Sequence, residues 1–104
     1  MEIREYVRWD GKVPFTDWLK KLRNRQASER IHIQIDRLAL GNTGDYKSLG
    51  NGIHELRIHY GPGYRVYYGK TGKRIVLLLC GGNKTSQQQD IKRAKQYWQD
   101  YRRR

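Results

Sequence analysis

Three strand-like segments joined by two short glycine turns occupy the middle of the chain and constrain its fold more than any other feature. IHELRIHY (53–60) alternates apolar and polar side chains, GPG (61–63) turns the chain, and YRVYY (64–68) follows. A second turn, GKTGK (69–73), leads to RIVLLLC (74–80), which is apolar on both faces and is predicted to lie inside a sheet. Short glycine turns favour antiparallel neighbours, so the pattern predicts a mainly antiparallel sheet.

The N-terminal half is predicted to contribute one strand and two helices. Residues 2–9 alternate in polarity like a strand, and Pro14 suits a first helical turn. The apolar side chains of that helix are spaced along one face: Phe15, Trp18, Leu19 and Leu22. A second helix is predicted from Ser28 to Leu40, because its length and its Glu, Gln and Ala content outweigh the strand-like alternation of its isoleucines. Residues 41–52 are predicted to form a loop.

A C-terminal helix is predicted to begin at Ser86, in a capping box with Gln89. Its apolar face consists of Ile91, Ala94, Trp98 and Tyr101. The fold class is therefore α+β, in the order β-α-α-β-β-β-α, with the two N-terminal helices on one face of the sheet and the C-terminal helix at its edge or end. Residues 1–104 are expected to form one domain, in which residues 102–104 are a frayed basic tail.

The charge of the chain predicts a polyanionic partner. Twenty-two Lys and Arg against ten Asp and Glu give a net charge of +12, and residues 53–104 hold twelve of the basic and three of the acidic residues. With eight tyrosines available to stack on bases, nucleic acid is a better match than a membrane. The single cysteine, Cys80, lies in an apolar run and favours a reducing cytoplasm, and the three histidines show no zinc spacing.

The segment LLLCGGNKTSQQQD (77–90) has a strand, glycines and a Lys-Thr pair in the manner of a phosphate-binding loop. A Walker A motif needs glycine directly before the lysine, where this chain has Asn83, and another glycine six residues before the lysine, where this chain has a leucine. The motif therefore fails. A helix N-terminus beside Lys84 is still suited to an anion, while a plain strand-to-helix connection with a solvated lysine is the simpler alternative.

Several cationic or titratable side chains are predicted to converge at one end of the sheet. Arg57 and His59 share a strand face, the hairpin returns Arg65 beside them, and the last strand leads to Lys84. Arginines can bind a phosphate bidentately and stabilise the charge of a phosphoryl transition state, and histidine can take the proton of a ribose 2′-OH. This combination fits cleavage of RNA without a metal.

Ordinary structural roles remain open for the same residues. His59 also fits a solvated strand end, and Arg65 fits an ion pair or a packing position. Glu55 is expected to pair with Arg57 rather than to act as a base. His54 lies on the apolar face and is expected to be a core histidine.

Two segments, GIHELRIHYGPGYRVYY (52–68) and IVLLLCGGNKTSQQQDIKRAKQYW (75–98), closely resemble the RelE/HigB superfamily of type II toxin–antitoxin systems. The nearest branch is that of phage-derived HigB-like proteins, or addiction-module killer proteins, and the likeness covers nearly the whole chain. It implies a small RelE-like fold and a cytoplasmic endoribonuclease that cuts mRNA on the ribosome without metal or cofactor, thereby inhibiting translation. It also implies a cognate antitoxin, commonly a helix-turn-helix protein encoded nearby.

The resemblance also implies roles for individual residues. Arg65 takes the position expected to contact the scissile phosphate, and Arg57 and Lys84 take positions of further RNA contacts and catalytic groups. We add Tyr67 and Lys47 to the predicted RNA-binding set.

The general base stays open at this point. His59 is the first choice, followed by Asp90 and Glu55, because the chain lacks two features of some relatives: lysines before the Leu-Arg pair and a tyrosine early in the last helix.

Two further functions remain as alternatives. One is a basic RNA- or ribosome-binding module without catalysis, which the charge and the tyrosines explain equally well. The other is the half of a transcription-repressing complex that docks an acidic antitoxin segment on its basic face.

Overall fold

The computed structural model describes residues 1–104 as three helices and one five-stranded mixed sheet. In chain order the elements are β1 (Glu2–Glu5), α1 (Pro14–Lys21), α2 (Arg25–Ala39), β2 (Tyr46–Gly50), β3 (Ile53–Ile58), β4 (Tyr64–Thr71), β5 (Ile75–Asn83) and α3 (Gln87–Arg103). The strands lie in the order β1-β5-β4-β3-β2, with β1 and β5 parallel and the other pairs antiparallel. The predicted α+β class is confirmed. None of the helices is long and apolar enough to cross a membrane.

The predicted order of elements is wrong by one strand. Residues 46–50, predicted as part of a loop, form the edge strand β2, which pairs with β3. Its side chains are mostly exposed, so they show none of the apolar alternation by which a strand is recognised. The N-terminal strand is also shorter than predicted: it ends at Glu5 rather than at residue 9, and Trp9 is 86% exposed.

The first core lies between the sheet and helices α1 and α2, as predicted. Helix α2 begins three residues earlier than predicted, after Asn24, whose side-chain oxygen accepts a hydrogen bond from the backbone N–H of Ala27 at 3.1 Å. Its buried face packs with the sheet in one cluster that includes Ile31, Ile35, Leu38, Leu56, Val66, Val76 and Leu78.

Helix α3 covers the opposite face of the sheet, which corrects the prediction that it lies at an edge or end. Its side chains Ala94 and Trp98 share a second core with Leu77 and Leu79 of β5. Strand β5 sends alternate side chains into both cores, so a strand that is apolar on both faces needs a helical layer on each side.

The N-cap of α3 is Ser86, as predicted, but the hydrogen bond of its side chain and the end of the helix differ from prediction. The Ser86 hydroxyl donates to Asp90 Oδ2 at 2.5 Å instead of forming a capping box with Gln89. Residues 102–104, predicted as a frayed tail, continue the helix through Arg103, and the guanidinium of Arg104 donates to Asp100 Oδ2 at 2.7 Å.

Glycines inside the strands allow both helical layers to approach the sheet closely. A Cβ atom added at Gly69 would lie 2.2 Å from the ring of Trp98, and one at Gly81 would lie 2.3 Å from the ring of Trp18. A Cβ at Gly82 would lie 1.8 Å from the Asp90 carboxylate. The glycine pair after Cys80 therefore belongs to β5 and permits helix packing, and it is not a phosphate-binding turn.

We expect Gly69→Ala to lower the free energy of unfolding by about 3 kcal/mol, because the added methyl group overlaps the Trp98 ring in a packed core. Gly72→Ala is the matched control: Gly72 has open space but a φ of +58°, so backbone strain alone costs about 1 kcal/mol. Urea unfolding of both variants measures the difference. Equal losses of unfolding free energy in the two variants would show that the Trp98 ring does not clash with a methyl group at position 69.

Candidate nucleic-acid interface

A buried carboxylate lies between two arginines on the α3 side of the sheet. Arg57 on β3 and Arg65 on β4 are direct cross-strand partners. The side chain of Glu55 is 0% exposed; its Oε1 accepts a hydrogen bond from Arg57 Nε at 3.0 Å and lies 3.7 Å from Arg65 Nε. Its Oε2 accepts from Gln87 Nε2 of α3 at 3.0 Å. The predicted pairing of Glu55 with Arg57 is therefore confirmed, and it extends to a second arginine.

Electrostatics keeps Glu55 charged in spite of its burial. Burial alone would raise the pKa of this carboxyl, but hydrogen bonds from Arg57 and Gln87 and the charges of Arg65 and Arg57 together lower the pKa below its ordinary value. Two guanidinium groups directly opposite each other on neighbouring strands would repel. The carboxylate offsets that repulsion, so the pair of arginines can exist at this position.

Arg65 lines a cleft of about 550 Å³ together with Lys84, His59 and the β3–β4 turn. Its side chain is 13% exposed, and its Nη1 donates to the carbonyl of Gly63 at 3.3 Å, which fixes the guanidinium at the edge of the cleft. Arg57, with its side chain 33% exposed, lies beside Arg65 through their shared carboxylate. His59, Arg65 and Lys84 therefore share the cleft, while Arg57 does not line it but lies next to Arg65, so the convergence that the strand pattern predicts is observed in part.

Lys84 lies where the cleft meets the N-terminus of α3. It lines the cleft with Arg65, and it also lines a shallow groove formed by residues 84–89 at the start of that 17-residue helix. Asn83 organises this junction, because its side-chain oxygen accepts hydrogen bonds from the backbone N–H groups of Thr85 and Ser86 at 2.9 and 3.2 Å. The positive end of the helix dipole therefore adds to the charge of Lys84.

His59 is the only one of the three candidate bases that opens onto the cleft. Its side chain is 76% exposed, and its Nε2 shares a hydrogen bond with the carboxylate of Asp45. A carboxylate partner fixes the orientation of an imidazole ring and selects its tautomer. His59 is therefore both a solvated strand-end residue and a residue of the candidate site. Glu55, by contrast, is fully buried.

Asp90 is buried behind the cleft instead of lining it. Its side chain is 7% exposed, and its carboxylate accepts from Ser86 beneath Gly82. Burial raises the pKa of Asp90, while the Ser86 hydrogen bond and the Arg93 charge only partly oppose the shift. The geometry therefore gives no support to the prediction that Asp90 is a base.

Tyr67 and Lys47, both predicted to contact RNA, have opposite environments. Tyr67 is 0% exposed, so it offers no ring face on which a base can stack, and that part of the prediction is corrected. Its hydroxyl has no hydrogen-bond partner, and burial, together with the nearby charges of Glu55 and Asp90, raises its pKa. Lys47 is exposed on β2, and its Cα lies opposite that of Glu55 in the β2–β3 register.

Sequence reasoning missed two features of this site. The alternation of β3 places Glu55 on the same face as Arg57, so the sequence indicates that a carboxylate joins the cationic cluster. It gives no sign that Glu55 is completely buried. Gln87 gives no sequence signal of its role, since it depends on how α3 packs on the sheet. No group of three or more histidine, cysteine or carboxylate side chains that could hold a metal ion is present.

We expect Glu55→Gln to lower the free energy of unfolding at pH 7 by about 1–3 kcal/mol, because it removes a charged acceptor between two arginines. A carboxyl whose folded-state pKa is lowered contributes stability above its unfolded pKa and loses it as the pH falls through the folded value. The difference between wild type and variant should therefore shrink below about pH 5. Urea unfolding across this pH range measures it.

Asp90→Asn serves as the control, because the stability difference between wild type and this variant should change with pH in the opposite direction. Because burial raises the pKa of Asp90, its charge is unfavourable in the folded state and acidification relieves that cost. The wild type should gain relative to this variant as the pH falls. If the Glu55→Gln difference stayed constant from pH 7 to acid, the account of Glu55 as a charged bridge would be wrong.

Comparison with known proteins gives two matches. Residues 17–99 match the family model described as "Phage derived protein Gp49-like (DUF891)". A protein of Haemophilus influenzae, described as "Uncharacterized protein", is 52% identical over 81 residues, which cover 78% of this chain and 82% of that protein. No solved structure matches. The region matched by the family model contains every residue of the cleft.

Proposed function

The chain belongs to the Gp49-like family of phage-derived proteins, a family related to toxin–antitoxin systems, and from this we propose that it is a type II toxin that cleaves mRNA. The observation that carries the proposal is the presence of Arg65 and Lys84 in one cleft, with Arg57 beside Arg65 on the neighbouring strand and joined to it through the buried Glu55 carboxylate. Two cations in a concave site and a third cation next to it match a phosphodiester, and the net charge of +12 suits a polyanionic substrate. The proposed membership of the RelE/HigB superfamily agrees with this arrangement.

The proposed reaction is an attack of the ribose 2′-oxygen on the adjacent phosphorus. The bond from phosphorus to the 5′-oxygen breaks, so the products carry a 2′,3′-cyclic phosphate and a 5′-hydroxyl. Arg65 and Arg57 bind the non-bridging oxygens and stabilise the negative charge that grows on them. His59 takes the 2′-OH proton, and the Lys84 ammonium group donates a proton to the departing 5′-oxygen. The nucleophile comes from the substrate, so the scheme assigns no step to a metal.

The proposed partners follow from the same scheme. The message is the substrate, the ribosome is the proposed setting in which it is cut, and translation stops as a result. A cognate antitoxin is proposed to hold the toxin inactive, since an uncontrolled nuclease of this kind would arrest the cell that makes it.

We expect Arg65→Ala to lower cleavage of mRNA in a translating extract by at least about 100-fold, because it removes a preorganised donor to the charged transition state. Mapping of new 5′ ends, with and without a chelator, measures the activity, and a wild-type cleavage pattern insensitive to chelation is predicted. Lys73→Gln, in the exposed β4–β5 turn, is the control and should cleave normally. Undiminished cleavage by the Arg65 variant would refute its role.

His59→Asn should lower the cleavage rate by about 100-fold or more, because it removes a proton acceptor. RNA affinity should stay nearly unchanged, because the side chain that is replaced is exposed. Asp45→Asn, which keeps the imidazole but removes its charged partner, should cause a smaller loss. A His59→Asn variant that cleaves at the wild-type rate would assign the base elsewhere.

The burial of two candidate bases favours a second candidate function. Glu55 and Asp90 are both inaccessible, so if His59 is not the base, no candidate carboxylate is free to act. The protein would then be a basic RNA- or ribosome-binding module without catalysis. Salt-dependent RNA binding with no new 5′ ends from any message would decide for that function.

A further inference from the structure

A second groove, of about 660 Å³, shares His59 with the cleft. One wall is formed by α2, and the other by the Gly44–Asp45 segment and the end of β3. Of the residues that line it, only Ile33 and Ile58 are apolar, and Ile58 belongs to the first core. The groove is therefore a polar surface and has little of the apolar area that a protein helix needs for docking.

Two guanidinium groups in this groove have no carboxylate partner. Arg30 and Arg37 lie seven residues apart on α2, which separates them by two helical turns, or about 10 Å. The carboxylates of the groove already have cationic or histidine neighbours: Glu29 lies 3.9 Å from Arg25, and Asp45 is bonded to His59. The groove consequently offers two guanidinium groups that have no carboxylate within ion-pair distance.

Tyr60 connects the groove to the cleft. It lines the cleft beside His59, and the guanidinium carbon of Arg30 lies 4.4 Å from the centre of its ring. Its hydroxyl donates to Gln26 Oε1 at 2.6 Å, so α2 fixes both ends of this contact. The stacking of Arg30 on Tyr60 therefore joins the groove and the cleft into one continuous surface, which we call the track.

We propose that this track binds the single-stranded RNA that flanks the scissile phosphate, with Arg30 and Arg37 as its phosphate-binding residues. The inference rests on the proposed function, since it extends the same RNA beyond the cleft. Its charge is positive, its aromatic group lies at the junction, and its lining is polar, which are the properties of a groove that follows a sugar-phosphate chain. Cleavage would take place at Arg65, while affinity for longer RNA would come from α2.

The test compares two 2′-O-methyl RNAs, one of about four and one of about twelve nucleotides, so that binding is measured without cleavage. Fluorescence anisotropy gives the affinity of each for the wild type and for the Arg30→Gln/Arg37→Gln double variant. We expect the double variant to bind the longer RNA about tenfold more weakly, with a salt dependence reduced by about 1.4 in logarithmic slope for two lost phosphate contacts. Its affinity for the short RNA should equal that of the wild type.

A charge-matched control, Lys73→Gln/Arg74→Gln, removes two exposed cations from the β4–β5 turn, at the sheet end away from the cleft, and should leave both affinities nearly unchanged. Equal weakening by both double variants would show a general charge effect and would overturn the proposal. Normal binding of the longer RNA by the Arg30→Gln/Arg37→Gln variant would also overturn it, even if that variant fails to bind an acidic protein partner. Failure of the proposed function is distinguishable, because then the wild type would bind neither RNA, or Arg65→Ala would bind the short one unchanged.

Discussion

The contact between the buried Glu55 carboxylate and two arginines on adjacent strands is the interaction on which the candidate site depends. Arg57 and Arg65 face each other across the β3–β4 pair, an arrangement that is unfavourable unless a negative charge lies between them. The same carboxylate accepts a hydrogen bond from Gln87 at the start of α3. One side chain therefore fixes the relative positions of two strands and of the helix N-terminus beside Lys84. The energetic cost of burying it is offset by charge, which explains why its pKa is lowered although it is fully enclosed.

The packing of α3 determines how much of this polar cluster stays accessible. Trp98 lies on Gly69 and the Asp90 carboxylate lies on Gly82, so the helix approaches the sheet closely along the second core. Because the helix begins only at Gln87, it does not cover the part of the polar cluster that lies before its N-terminus, and this part remains open as the cleft. Tyr67 is fully covered as a result, while Lys84 and part of Arg57 remain in contact with solvent. Burial by one helix thus separates residues that support the site from those that can touch a ligand.

The parts of this structure that depend on local periodicity and on the register of neighbouring strands can be predicted from the sequence. The two hairpin turns and the alternation in 53–60 place Arg57, His59 and Arg65 together, and the doubly apolar β5 indicates a buried strand. The edge strand β2 could not be predicted, because exposed residues carry no apolar pattern. The face on which α3 packs, and with it the burial of Tyr67 and Asp90, depends on tertiary contacts between distant segments. The placement of side chains along a strand can therefore be predicted from the sequence, whereas which polar residues become enclosed by a distant helix cannot.

The central claim is that Arg65, Arg57 and Lys84 bind one sugar-phosphate linkage of RNA in the cleft. A crystal structure of the protein with a 2′-O-methyl oligonucleotide tests it most directly, because the blocked 2′-oxygen preserves the bond to be cut. The account predicts one phosphate with its non-bridging oxygens at hydrogen-bonding distance, about 3 Å, from the Arg65 guanidinium, with the Lys84 ammonium group and the His59 ring beside it. An RNA bound on another face, with no phosphate in contact with Arg65, would contradict it.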